Sequence, residues 1–343
     1  MTAHDLLQAN LLSPPVLCFA LGALAVAVRS DLRVPEPVFA ALSMYLMLSI
    51  GLRGGAELAH VSPQAVAGPI AGALLICCTI PLLCYAGLRQ FGGLSTPDAA
   101  ALAAHYGSVS AVTFAAVTAM LDRQAVPYEG YAATLLAVME IPAIIVAISL
   151  ARMAKTAQAD RVLATGGGAA LLGGTGPIMR GGGQALLAEV MSSKSVLILI
   201  GGLAIGTLAG HASLAKVKPF FVDLFPGALC VFLLTLGHMA ASRAGDFRKA
   251  GLFLVGFALL MPLLHAMLGL GIAYAVGLSL GGAIILATLA ASASYIAAPA
   301  AVQLALPEAN PSLYLTCSLA ITFPFNIMLG LPIYQAMAQA LYG

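Results

Sequence analysis

Tryptophan is absent and charge is scarce. Of 343 residues, only 8% are Asp, Glu, Lys or Arg. A soluble domain carries about a quarter of its residues as charges, so a water-facing surface is excluded for most of this chain. Without Trp, any aromatic belt at a membrane interface falls to Tyr and Phe. The net charge of +2 comes with no basic run and no acidic tail, which leaves no footprint for nucleic-acid binding. Met1 to Ser13 has no basic residue before its apolar run, so a cleaved signal peptide is not expected. Cys18, Cys77, Cys78, Cys84, Cys230 and Cys317 all fall in apolar stretches without metal-ligand spacing. They read as small hydrophobes rather than as a redox or metal centre. No nucleophile–base pair, metal cluster or phosphate loop is visible, so the chain does not read as an enzyme.

What is present is apolar: 61% of the residues are hydrophobic. A helical crossing of a bilayer takes about 20 apolar residues, so the expected fold is an all-α membrane protein of about ten transmembrane helices. Hydrophobic runs place the spans at 14–28, 37–52, 65–88, 98–121, 130–151, 195–210, 219–240, 250–272, 279–305 and 312–341. The longest polar stretch, 152–194, is Gly-rich at 166–168 and 181–183 and is expected to be a flexible loop. Of the 15 basic residues, only Arg53, Arg123, Lys216 and Lys218 follow even-numbered spans. Basic loops stay cytoplasmic. This predicts a multi-pass membrane protein with both termini outside and the 152–194 loop inside.

The two halves share landmarks. Val16-Leu17 before Gly22 recurs as Val196-Leu197 before Gly202. Ser108-Val109-Ser110 recurs as Ser292-Ala293-Ser294, and Glu140-Ile141-Pro142 as Thr322-Phe323-Pro324. The offset is roughly 180 residues each time, the mark of an internal repeat. Five spans per half invert the second copy relative to the first, giving a 5+5 inverted repeat. The expected divisions are 1–151, the loop 152–194, and 195–343.

The fourth and ninth spans carry small polar residues in mid-run. One reads Ala104-His105-Tyr106-Gly107-Ser108-Val109-Ser110, the other Ala291-Ser292-Ala293-Ser294-Tyr295 followed by Pro299. Gly and Pro let a helix stop and restart, and Ser is a good N-cap for the restarting half. Each span is therefore expected to break at the midplane. The two restarting half-helices would then meet there with free N–H groups and a positive dipole end of roughly half a charge each. That makes a site for a small anion without Lys or Arg. A single Ser-x-Ser in a membrane helix is also explained by back-bonding and close packing. Its recurrence beside a helix breaker favours a site. The candidate anion residues are Ser108, Val109, Ser110, Ser292, Ser294 and Tyr295.

Glu140 lies inside the fifth span, where a carboxylate is costly and should face the protein interior. With Thr113, Thr322 and Asn326 it offers hard oxygen ligands for Na⁺. A structural pairing of Glu140 is the competing reading. Among the weaker features, His105, His238 and His265 read as packed histidines, and Asp223 as an interfacial residue. Arg53 and Glu57, four apart, are expected to form a surface pair.

Several strings resemble the bacterial sodium-dependent bicarbonate transporter family (SbtA-type permeases). They are Ser13-Pro14-Pro15-Val16-Leu17, Ala104 to Ser110, Glu140-Ile141-Pro142-Ala143-Ile144, Ser294-Tyr295-Ile296-Ala297, Pro307-Glu308-Ala309-Asn310-Pro311 and Thr322-Phe323-Pro324-Phe325-Asn326-Ile327. The resemblance covers nearly the whole chain outside the central loop. It implies ten spans in core and gate domains, a homotrimer, bicarbonate at the Ser pairs and sodium as the coupling ion without other cofactor. It also implies a soluble regulator similar to the PII signalling proteins. Sodium-coupled import of bicarbonate is the leading reading. A symporter for another small anion, such as an organic acid, and a cation/proton antiporter are the alternatives. Antiport chemistry wants carboxylates at the crossing, and neither broken span has one beside its Ser pair.

Overall fold

The computed structural model describes residues 3–32, 34–164 and 193–343. The Gly-rich stretch 166–183 lies outside the described residues, and with it the flexibility expected of it. Among the described residues the chain is all-helical. In order the helices are α1 (Ala3–Leu11), α2 (Pro14–Ala27), α3 (Glu36–Leu58), α4 (Pro63–Gln90), α5 (Thr96–Gly107), α6 (Ala111–Arg123), α7 (Ala132–Met139) and α8 (Pro142–Ala164). Then follow α9 (Lys194–Lys218), α10 (Phe225–Ser242), α11 (Phe247–Ala275), α12 (Leu280–Ala291), α13 (Ala297–Ala305) and the long C-terminal α14 (Pro311–Tyr342). Pro in the first turn starts α2, α3, α4 and α5, where its missing N–H is unpaired in any case.

Among the described residues, seven helical runs are long and apolar enough to cross a membrane. That count differs from the expected ten for three local reasons. The first span, Pro14–Ala27, has only 14 residues and bends by 60° from α1. Expected spans six and seven are one 49-residue run, Lys194–Ser242. Gly210 breaks it at φ 67°, and π turns at Pro219–Asp223 follow. The ninth is divided into α12 and α13, each too short alone. The fifth span is also broken: Glu140 and Ile141 separate α7 from α8. In α14, π turns at Thr316–Thr322 and Asn326–Gly330 flank Pro324.

Two bodies can be told apart by their packing. In the first, a panel, α2 crosses α10 and α3 crosses α9, with backbones in contact. A Cβ on Gly22 would sit 1.9 Å from the Leu234 carbonyl oxygen, and one on Gly237 would sit 2.0 Å from that of Phe19. Likewise Gly55 and Gly206 would meet the carbonyl oxygens of Leu203 and Leu52 at 2.1 and 2.3 Å. Small residues at such crossings let dispersion act between whole backbones, the main attraction available in lipid. The second body gathers α4 to α8 and α11 to α14 around α5–α6. The apolar window of Thr96–Arg123 is 94% buried, against 33% for Gly251–Ala275. The broken helix therefore runs through the protein centre while α11 faces outward.

The helices leading into the two breaks match in detail. Each has 12 residues, and each N-terminal Ser hydroxyl accepts from a first-turn N–H at 3.2 Å: Ser95 from Asp98, Ser279 from Gly282. Each ends on an extended Ser: Ser108 at φ −85°, ψ 167°, and Ser292 at φ −78°, ψ 165°. Asp98 accepts from the Asn310 N–H at 2.8 Å, ahead of α14. Glu129, ahead of α7, accepts from the Ser279 N–H at 2.6 Å.

Some expectations need correction. Arg53 does not pair with Glu57; it pairs with Asp122 at 3.6 Å, and Glu57 meets His211 at 3.7 Å. The neighbouring helices offer closer partners than the next turn of α3 does. Gly107 is needed for close approach rather than for an unusual backbone: a Cβ there would sit 2.3 Å from Pro81 Cγ. The six cysteines are free; Cys77, Cys84 and Cys317 are buried, whereas Cys78 is exposed.

Candidate functional site

The two breaks touch. The Ser110 N–H donates to Ser292 Oγ at 2.9 Å, and the Ser294 N–H donates to the His105 carbonyl at 2.8 Å. Extended residues leave N–H groups that no helix satisfies, so each break supplies partners to the other. Each is also held from outside. Ser108 Oγ donates to the Glu140 carbonyl at 2.8 Å. Asn326 Nδ2 donates to the Ala291 carbonyl at 2.9 Å, and its own Oδ1 accepts from Tyr334 at 2.6 Å.

Four serines thus divide into two kinds. Ser108 spends its proton on Glu140, and Ser292 spends its proton on the Leu289 carbonyl at 2.8 Å. These two brace the breaks. Ser110 and Ser294 instead use lone pairs to accept from the restarting helices. Ser110 Oγ accepts from the Thr113 N–H and Ser294 Oγ from the Ala298 N–H, both at 3.2 Å. Their protons remain for another acceptor; the 3.4 Å separation of Ser110 Oγ from Tyr295 Oη is long for a firm O–H···O bond.

Both serines line a narrow pocket of about 10 Å³, formed by Val109, Ser110, Glu140, Ser294 and Tyr295 from the core and by Ser43, Met47 and Ser195 from the panel. Glu140 is 5% exposed and its Oε2 has no hydrogen-bond partner. The pocket thus combines two hydroxyls, those of Ser110 and Ser294, and a carboxylate oxygen without a donor. The first two suit a small oxyanion. The last suits a cation.

The pocket leads to one side. It shares Ser43, Met47, Ser195, Ile296 and Ala297 with a cavity of about 530 Å³ whose mouth holds the exposed Glu36 and Lys194. A second cavity, of about 380 Å³, lies at the other end of α3, lined by Arg53, Glu57, Thr118 and Tyr128. Buried Met47, Ile50 and Phe114 stand on the stretches of α3 and α6 between the two. The Arg53–Asp122 pair ties panel to core at that second end.

Of the predicted anion residues, Val109, Ser110, Ser294 and Tyr295 line the pocket, and Ser108 and Ser292 brace it. The predicted sodium residues are not gathered. Only Glu140 lines the pocket. Thr322 Oγ1 donates to the Ala258 carbonyl at 2.7 Å and accepts from Tyr106 at 2.6 Å. Asn326 is engaged at both ends of its amide as described above, and Thr113 does not line the pocket. Sequence reasoning missed Ser43 and Ser195. Ser43 is a lone hydroxyl in an apolar run, and Ser195 stands one residue after Lys194 at a helix start. Neither has a local signal that separates it from Ser49 or Ser193. His105 and His265 are packed as expected: His105 stacks on Tyr314 with ring centroids 4.4 Å apart, and both are buried.

The profile of the Na⁺-dependent bicarbonate transporter superfamily matches residues 14–339. No curated protein matches the chain.

Proposed function

We propose that this chain, which belongs to the Na⁺-dependent bicarbonate transporter superfamily, imports bicarbonate by sodium-coupled symport. The observation that carries the reading is the pairing in one pocket of two helix-capping serine hydroxyls, Ser110 and Ser294, neither of which donates to a backbone carbonyl, with a carboxylate oxygen of Glu140 that has no partner. An anion brought alone into a buried site pays a desolvation penalty of several kcal/mol. A carboxylate beside it raises that penalty. A cation on Glu140 reverses the sign: it neutralises the carboxylate and attracts the anion held by Ser110 and Ser294. Neither ion then binds well without the other, which is what coupling requires.

The architecture proposed is ten crossings in a 5+5 inverted repeat. The matched caps and breaks of α5 and α12 support it. So does the 49-residue run from Lys194 to Ser242, more than twice the length of one crossing. With basic loops inside, the cavity at Glu36 and Lys194, which shares lining residues with the serine pocket, opens to the cytoplasm, and the Arg53–Asp122 end, whose cavities share none of that lining, is the outer end. In that orientation the fold is an inward-open form of an alternating-access carrier in the plasma membrane. The homotrimer and the PII-like regulator rest on the family resemblance.

Uptake of radiolabelled bicarbonate into proteoliposomes tests the function. Accumulation with an inward sodium gradient, and its loss when choline replaces sodium, is the expected result. Equal uptake in both would end the symport reading. Competition by a small organic acid at lower concentration than bicarbonate would reassign the substrate.

A further inference from the structure

Glu140 cannot complete a cation site from its own body. The core residues beside it turn protons toward the pocket, as Ser110 and Ser294 do, or are apolar, as Val109 and Ala111 are. Thr322 and Asn326 are spent elsewhere. Apart from Tyr295, whose Oη lies 3.4 Å from Ser110 Oγ, the remaining side-chain oxygens in the pocket wall come from the panel: Ser43 on α3 and Ser195 in the first turn of α9. A carboxylate that is 5% exposed, with an oxygen that no donor reaches, is costly in its charged form, and a bound cation offsets that cost as a proton would. Two half-buried hydroxyls across the pocket can turn their lone pairs toward such a cation. A hydroxyl that no backbone N–H occupies is a neutral oxygen ligand suited to a hard monovalent ion.

We infer that Ser43 and Ser195 of the panel complete the sodium site with Glu140 of the core, so that the cation bridges the two bodies. This rests on the symport reading above and deepens it. The anion belongs to the core alone, through Ser110 and Ser294. The cation belongs to both bodies and is lost from one set of ligands whenever the panel and core slide past one another.

The test uses the full-length protein. Ser43→Ala, Ser195→Ala and the double variant are purified, and thermal stabilisation is titrated with NaCl against choline chloride. Sodium activation of bicarbonate uptake is measured in parallel. Each single variant should raise the sodium concentration for half-maximal effect about tenfold, the equivalent of about 1.4 kcal/mol. The KM for bicarbonate at saturating sodium should stay within about twofold. Ser43→Cys and Ser195→Cys should react with a small methanethiosulfonate reagent, and sodium, but not choline, should slow that reaction. Unchanged sodium titrations together with modification indifferent to sodium would overturn the bridge. If the wild-type protein itself shows neither sodium stabilisation nor sodium-driven uptake, the symport reading falls first and takes this inference with it. A wild-type response that survives in the double variant refutes the bridge alone.

Discussion

Replacing Ser110 by Ala removes two contributions that can be separated. The first is the cap on α6, the hydrogen bond from the Thr113 N–H at 3.2 Å; losing an N-cap costs about 0.5–2 kcal/mol of stability. The second is the proton that the capped hydroxyl still offers to the pocket. A hydrogen bond to a charged group contributes about 1.5–3 kcal/mol, so apparent affinity for bicarbonate should fall roughly ten- to a hundredfold. Ser95→Ala separates the two. Ser95 caps α5 with the same 3.2 Å geometry but is exposed and lies at the far end of that helix. It should lower thermal stability comparably and leave the KM alone. Ser149→Ala, at an exposed position in α8, should change neither. The assay is the initial rate of uptake against bicarbonate concentration at a fixed, saturating sodium gradient. Ser110→Asp should do worse than Ala, because a fixed negative charge would stand where the anion must sit. A Ser110→Ala protein that inserts normally and keeps its KM within about twofold would refute the reasoning, since the hydroxyl would then only cap.

Other outcomes follow from the same geometry. Glu140→Gln should abolish sodium dependence while leaving membrane abundance near wild type; uptake that retains its sodium response would make Glu140 structural. Reporter tags or cysteine labelling should find both termini outside and the segment 152–194 inside, and a cytoplasmic N-terminus would overturn the orientation. Arg53→Gln and Asp122→Asn break a pair whose side chains are 33% and 46% exposed, so each should cost less than about 1 kcal/mol of stability. Each should still speed modification of a Thr118→Cys reporter from the outer side, because the pair ties panel to core there; an unchanged rate would show that the pair does not hold that end shut.

The breaks in the fourth and ninth spans were legible because they are written locally. Ser, Gly and Pro stand out in an apolar helix, and the same string occurs twice. The anion residues were half legible: Ser110 and Ser294 face the pocket, but nothing in the text distinguishes them from Ser108 and Ser292. Which hydroxyl keeps its proton depends on a carbonyl from another element, that of Glu140 for Ser108. The sodium set was least legible. Thr322 and Asn326 carry the right atoms, yet distant carbonyls of Ala258 and Ala291 engage them first. The oxygens that do share a pocket with Glu140, on Ser43 and Ser195, come from helices remote in sequence. The count of crossings is hardest to read where helices join or bend, because continuity is a three-dimensional matter. Gly210 turns the chain without ending the helical run, although His211, Ser213, Lys216 and Lys218 follow it. Asn10, with its side-chain N–H donating to the carbonyls of Ile327 and Met328 at 2.8 and 3.1 Å, ties α1 to the π turns of α14 from more than three hundred residues away.

The glycine crossings of the panel set a limit on how this chain can change. Where side chains meet, a larger residue on one helix can be answered by a smaller one on the other. At Gly22, Gly55, Gly206 and Gly237 the neighbour is a carbonyl oxygen, and a carbonyl has no smaller version. These four positions carry no chemistry and hold no ion, yet compensation within the panel is closed to them. Any added methyl must push two helices apart along their length. That would widen the panel and shift Ser43 and Ser195 relative to the core, so substitutions far from either ion should register first as altered coupling between the two fluxes.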